Sequence, residues 1–162
     1  MFTLRCTAKL LKRLHVEPAL PATPPSTRLG DWYANLLFTR PAHLVLCASE
    51  RTLLPVLIPA RDIGSLLPRL REAVSDVLRA LAVPEEAIRD EQREMQSAIV
   101  GKTASRQVLG SMNDFVTMLE AYRGPITSTP LLLDLALRLA ETPCGPLRMN
   151  RPRDETVRLF GR

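Results

Sequence analysis

Three apolar runs nearly touch end to end: Trp32–Arg40 (WYANLLFTR), His43–Ser49 (HLVLCAS) and Thr52–Pro59 (TLLPVLIP). Only Pro41-Ala42 and Glu50-Arg51 separate them. A parallel crossover needs a dozen residues or more, whereas a two-residue break suits a hairpin. The spacing therefore predicts an antiparallel meander over 32–59. Pro55 lies inside the third run and has no N–H for a ladder, so that strand is expected at a sheet edge or at a bulge. Alternation in the first run puts Trp32, Ala34, Leu36 and Phe38 on one face, and Tyr33, Asn35, Leu37 and Thr39 on the other.

The meander leaves helices and one or two further strands to cover it. Phe2–Cys6 alternates as a short strand. Thr7 then suits a helix N-cap, with Leu10, Leu11 and Leu14 as the apolar stripe of a helix to about His15. Residues 17–28 (EPALPATPPSTR) hold four prolines, which makes 17–30 a semi-rigid loop inside the domain. A helix is expected from Asp62 to Leu81, buried through Leu66, Leu70, Val74, Val77, Leu78 and Leu81, with Pro68 delaying its start or kinking it. An acidic helix follows from Pro84 to about Met95, then a short strand at Ser97–Val100. The next helix, Ala104–Tyr122, buries Val108, Met112, Phe115, Leu119 and Tyr122 and is stopped by Gly124-Pro125. A last strong helix opens at Thr129-Pro130 and ends at Thr142-Pro143. The expected class is α+β: a small, mostly antiparallel sheet (the 32–59 meander plus the N-terminal strand) with four to five helices packed on it. One domain is expected over 1–147, with 148–162 as a basic C-terminal tail carrying a turn at Glu155–Phe160.

Composition narrows the function classes. The chain has 162 residues, 46% hydrophobic, which suffices for a core without disulfides or a structural metal. Cys6, Cys47 and Cys144 form no CxxC pair, and His15 and His43 stand at no metal spacing, so neither metal nor cofactor is expected. Free thiols suit a reducing compartment, here the cytoplasm. No run approaches the roughly 20 apolar residues of a membrane helix. The basic start reads as folded structure, since its charges follow its apolar residues and no cleavage site comes next.

Net charge is +5, from 22 Lys and Arg against 17 acids. It is unevenly placed. Residues 1–16 carry Arg5, Lys9, Lys12 and Arg13 with no acid, residues 148–162 carry five Arg against Asp154 and Glu155, and residues 84–96 carry an acidic excess.

The motif Gly101-Lys102-Thr103 sits between an apolar strand and a helix, where phosphate loops occur. A true phosphate loop needs glycine five residues before Gly101, and Gln96 stands there. What survives is Lys102, Thr103, Ser105 and Arg106 at a helix start, where unpaired N–H groups and the helix dipole favour an anion. Ser111, Asn113 and Asp114 extend this cluster along a polar helix face. Gly110 costs about 1 kcal/mol relative to Ala in a helix, which suggests close approach of another group there. Trp32 and Asn35 offer an aromatic ring and an amide on the sheet, with core packing the plainer reading.

The function expected is a non-catalytic module that binds a protein or anionic partner through 102–114. One alternative is nucleic-acid binding, with Arg5, Lys9, Lys12, Arg13 and the basic C-terminal segment on phosphates. Another is an enzyme acting on a phosphorylated small molecule, which requires a pocket joining Arg106 to Asn35 or His43. No catalytic residue is assigned.

Four segments carry a resemblance: TAKLLKRL (7–14), GDWYANLLFTRPAHLVLCASERTLLPVLIPA (30–60), GKTASRQVLGSMNDF (101–115) and LRLAETPCGPL (137–147). With these the chain resembles a bacterial family of unknown function and is loosely similar to plasmid-borne proteins of the open-reading-frame-three type. The resemblance implies a cytoplasmic bacterial protein associated with mobile or accessory genes. It implies no mechanism.

Overall fold

The structure, a computed structural model, describes residues 1–21, 23–122 and 129–161. The meander forms as the short breaks require: β2 (Trp32–Leu37), β3 (Leu44–Ser49) and β4 (Pro55–Pro59) pair antiparallel, with Ala34 opposite Cys47 and Cys47 opposite Val56. β1 (Phe2–Cys6) adds beside β2, and β5 (Ala98–Lys102) lies beyond β1, giving the order β4-β3-β2-β1-β5. The α+β class holds. The sheet is mixed, because β1 runs parallel to both β2 and β5. Each parallel pair is reached by a long connection. Residues 7–31 join β1 to β2 through the short helix α1 (Ala8–Leu14), and residues 60–97 join β4 to β5 through α2 (Leu66–Ala80) and α3 (Glu85–Glu94).

Pro55 opens β4 at the sheet edge. The hydrogen bonds at the two ends of the ladder fix its phase. Ala60 N–H donates to the His43 carbonyl (2.9 Å) and Ser49 N–H to the Leu54 carbonyl (3.1 Å). Alternation then turns Val56 and Ile58 toward β3, and Pro55, Leu57 and Pro59 outward. Two of the three outward residues thus have no N–H to offer a stray strand.

Both faces of the sheet are covered, and every residue of β3 is buried. Phe2, Leu4, Trp32, Val45 and Ile58 pack beneath Leu10 of α1, the Leu70–Val74–Val77 stripe of α2 and Ile88 of α3. Tyr33, Leu37, Leu46 and Leu57 pack on the opposite face beneath α4 (Arg106–Glu120) and α5 (Thr129–Leu139). Burying a large apolar side chain stabilises by about 1.5–3 kcal/mol, so these two layers dominate the stability. Pro68 falls in the first turn of α2, where its missing N–H has no partner to lose. Phe38 leaves the core face expected from alternation, because β2 ends at Leu37 and the ring emerges 66% exposed. Gly124-Pro125, read above as a helix stop, lies outside the described residues.

Residues 148–161 are ordered. They form α6 (Pro152–Phe160), which buries Phe160 and sets the Thr156 hydroxyl 2.8 Å from that of Thr52, itself 2.9 Å from Ser49. The proline-rich segment wraps the other edge of the sheet. Ala19 N–H donates to the Val100 carbonyl of β5 (2.8 Å), and Ser26 N–H to the Met1 carbonyl (2.9 Å). This contact explains Gly101. A Cβ there would stand 2.9 Å from Thr3 Cγ2 and 3.3 Å from the Ala19 carbonyl oxygen. Gly110 differs from the expectation of a close neighbour, for nothing lies within 4 Å of a Cβ built there.

One acid of α3 turns inward. Glu91 is buried and accepts the Arg28 N–H at 2.8 and 3.0 Å, tying the end of the wrapped segment to the helix. Burial raises its carboxyl to about 7, against the lowering effect of the Arg28 and Leu29 N–H groups.

Two predictions follow from this packing. Gly101→Ala should destabilise the protein by about 1–3 kcal/mol through overpacking, and Gly110→Ala should stabilise it by about 1 kcal/mol; chemical-denaturation midpoints read both. The raised Glu91 pKa favours the folded state fully below about 4.5, and that contribution is lost as pH climbs through about 7. Wild type should therefore lose stability relative to Glu91→Gln between pH 5 and 8, on the order of 3 kcal/mol. Parallel pH profiles for the two proteins would remove Glu91 as the cause.

Candidate functional site

β1 and β5 lie side by side and parallel, yet the chain leaves them in opposite directions. After β1 it enters α1 on the face of Trp32; after β5 it enters α4 on the face of Tyr33. In open sheets such a reversal marks the crevice beyond the carboxyl ends of the strands where ligands are received, and here that place falls between the ends of β1 and β5. Cys6 pairs in register with Lys102, so Thr7 and the Lys102–Arg106 segment border this crevice.

The polar side chains here divide into those already engaged and those left to solvent. Thr7 occupies the N-cap position of α1 without capping it; its hydroxyl donates instead to Asn35 Oδ1 at 2.9 Å. Ser105 caps α4, accepting the Val108 N–H at 3.2 Å, while its own N–H donates to the Tyr33 hydroxyl at 3.0 Å. Arg5 is drawn into the sheet. Its Nε donates to the buried Asp31 carboxylate at 3.1 Å and its Nη1 to the Lys102 carbonyl at 3.2 Å. The Lys102 and Arg106 side chains, in contrast, are exposed, and Thr103 beside them is half-buried.

The structure does not gather all the sequence candidates. Trp32 is fully buried beneath the helices, and register places Asn35 on the other face of the sheet. Ser111 is buried, with its hydroxyl bonded to the Cys144 thiol; Asp114 lies close to the same thiol. Asn113 is exposed, about 10 Å along the helix from Arg106 at 1.5 Å per residue. The polar stretch of α4 thus splits, 102–106 at the crevice and 111–114 toward the Cys144 segment.

What joins the crevice comes from elsewhere in the sequence. The β2–β3 hairpin presents the exposed Phe38 ring, with His43 edge-on at 5.0 Å and Lys9 Nζ 5.2 Å from the ring centre. Lys12, Arg13 and Arg40 are exposed as well. All of these sit at the end of the sheet where β1, β2 and β5 finish. Three of the segments that build this end (1–16, 32–49 and 97–113) contain no Asp or Glu; the fourth, the turn after β4, brings Arg61 and Asp62 beside the hairpin, where the Ala60 N–H meets the His43 carbonyl. The C-terminal arginines do not extend it. Contact between Thr156 and Thr52 puts α6 at the opposite end of the strands, and Arg151, Arg153 and Arg158 are paired there with Asp154, Glu141 and Glu155. Phe38 and Arg40 escaped the sequence reading, although the break from apolar LeuLeuPhe to ThrArgPro marks where the strand ends, and His43 entered it only as a possible pocket wall.

Among the described residues no three His, Cys, Asp or Glu side chains gather as a metal would require. Cys6 and Cys47 flank Ala34 in register, two strand spacings or about 10 Å apart, beyond the roughly 7 Å limit for a disulfide. Burial raises the thiol of Cys6 to about 12 and that of Cys47 as well. No described helix is long and apolar enough to cross a membrane. The chain belongs to the family described as the domain of unknown function DUF6933, which matches residues 3–155. No curated protein and no solved structure matches it.

The engaged and free cations should behave differently. Arg5→Met leaves Asp31 buried without its cation and should cost about 3 kcal/mol. Lys9→Met and Lys102→Met, both at exposed side chains, should each cost under about 0.5 kcal/mol in urea unfolding. Equal losses at the three positions would erase the distinction between framework and free surface.

Proposed function

We propose that this DUF6933 protein is a non-catalytic binding module that grips an anionic partner at the carboxyl ends of its parallel strands. The observation that carries this reading is the meeting of Lys9, Lys12, Arg13, Arg40, Lys102 and Arg106 on one end of the sheet, where Asp62 after β4 is outnumbered by cations. Clustered cations of one sign raise the local concentration of an anion and speed its capture. The α4 N-terminus at Arg106 adds its dipole.

A nucleic-acid version of the reading has one observation in its favour. Phe38 stands exposed among these cations, and a base can stack on such a ring while its phosphates meet lysine and arginine. In this version Arg5 belongs to the framework, and Lys9, Lys12 and Arg13 are joined by Lys102 and Arg106 in place of the C-terminal arginines. The reading also places the protein in the bacterial cytoplasm, in a mobile-element setting; its support is the resemblance carried by 101–115 and thiols held apart in the core.

Fluorescence anisotropy with a labelled single-stranded DNA of about 20 nucleotides, and with polyglutamate of similar charge, tests both versions. Binding should weaken steeply between about 50 and 200 mM salt, and the Lys9→Glu/Lys102→Glu variant should lose at least about tenfold. Phe38→Ala should weaken DNA binding alone by about fivefold or more if bases stack. Affinity that ignores both salt and charge reversal would discard the reading.

A further inference from the structure

A cleft of about 240 Å³ opens at the free edge of β4, between α2 and α5. Its floor is Val56 and Leu57, and Val77, Leu132 and Ala136 form its apolar walls. None of residues 102–114 lines it.

The floor carries an unusual chemical feature. The phase of the β3–β4 ladder turns the N–H and C=O of Leu57 away from β3 and into this edge. Leu57 is only 5% exposed, so these groups are largely out of bulk water, and among the described residues nothing pairs with them. Buried backbone groups are almost always partnered. The neighbouring outward positions differ. Pro55 and Pro59 have no N–H, and the Pro59 carbonyl is already taken by Arg69 Nη1. The rest of the Arg69 guanidinium is committed too, to the Ser65 hydroxyl (3.0 Å) and the Arg61 and Asp62 carbonyls. Beside the Pro55 carbonyl, one donor and one acceptor remain, and both belong to Leu57.

In an antiparallel ladder one residue exchanges both hydrogen bonds with one residue opposite. The complement of Leu57 is therefore the N–H and C=O of one amino-acid residue. A longer strand would find no further donor at Pro55 or Pro59. Val77, Leu132 and Ala136 give an apolar side chain its contacts, with Arg61, Arg69, Glu72 and Asp76 completing the lining, and the volume lies below the roughly 300 Å³ at which pockets for drug-sized ligands begin. We propose that this cleft binds a single apolar amino-acid residue in amide linkage, as in an N-acylated amino acid or a very short peptide, through a two-bond backbone clasp on Leu57. This site is independent of the anion-binding reading.

The test uses the full-length ¹⁵N-labelled protein and N-acetyl-leucine N-methylamide as probe. Saturable shifts are expected at the Leu57, Ala73 and Ala136 amides, with a Kd on the order of 1 mM. The analogue methylated on the leucine nitrogen lacks the donor for the Leu57 carbonyl and should bind at least about tenfold weaker. Ala73→Phe, at a half-buried position on the cleft wall, should abolish the shifts, and Lys9→Glu/Lys102→Glu should leave them intact. In the free protein the Leu57 N–H should exchange faster than those of Val56 and Ile58, and the probe should slow it. No saturable shift, equal affinity for the methylated analogue, or a Leu57 N–H already protected without ligand would each overturn the proposal.

Discussion

β1 has a parallel neighbour on each side, and this constraint organises the molecule. A parallel neighbour cannot be reached by a hairpin. The chain must travel from the end of one strand back to the start of the next, once through α1 and the proline-rich segment, once through α2 and α3. Those connections, with α4 and α5 on the opposite face, bury the sheet on both sides. At its centre the Arg5 guanidinium meets Asp31, whose other oxygen accepts the Thr3 N–H at 2.8 Å. A cation that looked available in the sequence is thus part of the framework between β1 and the entry to β2.

The same constraint gives the molecule two unlike ends. Four strands, β1, β2, β4 and β5, run in one direction and finish together, so whatever follows them collects in one place. Here that is the start of α1, the β2–β3 hairpin and the start of α4, drawn from three acid-free stretches, together with the turn after β4 that adds Arg61 and Asp62. At the other end α6 brings its own acids, which pair with its arginines. Separation by the length of a strand keeps the free cations of the first end unneutralised by the second.

The two sheet edges are closed by different means. Ala19 lends its N–H to β5, and Gly101 makes room for the approach. β4 relies on prolines that withhold donors and on the covering helices, with Arg69 satisfying the Pro59 carbonyl. Between the two prolines the Leu57 backbone is the one position on that strand where both groups face outward intact.

The meander, the helix stripes and the edge position of Pro55 were legible in the sequence, because each depends on spacing within a few residues: break lengths, apolar periodicity and a missing N–H. The candidate site was legible only in pieces. Lys102 and Arg106 stood out at a helix start, but their neighbours Lys9, Phe38 and Arg40 lie 60 or more positions away and meet them through strand order alone. Asn35 showed in the sequence as an amide on the sheet without a partner; the partner, Thr7, follows a strand whose parallel direction no local pattern encodes. Glu91 had the look of its solvated neighbours until the wrapped segment came to lie against it. Local chemistry chose the elements; the order and direction of the strands, a matter of long-range burial, decided which side chains were consumed inside and which were left facing water.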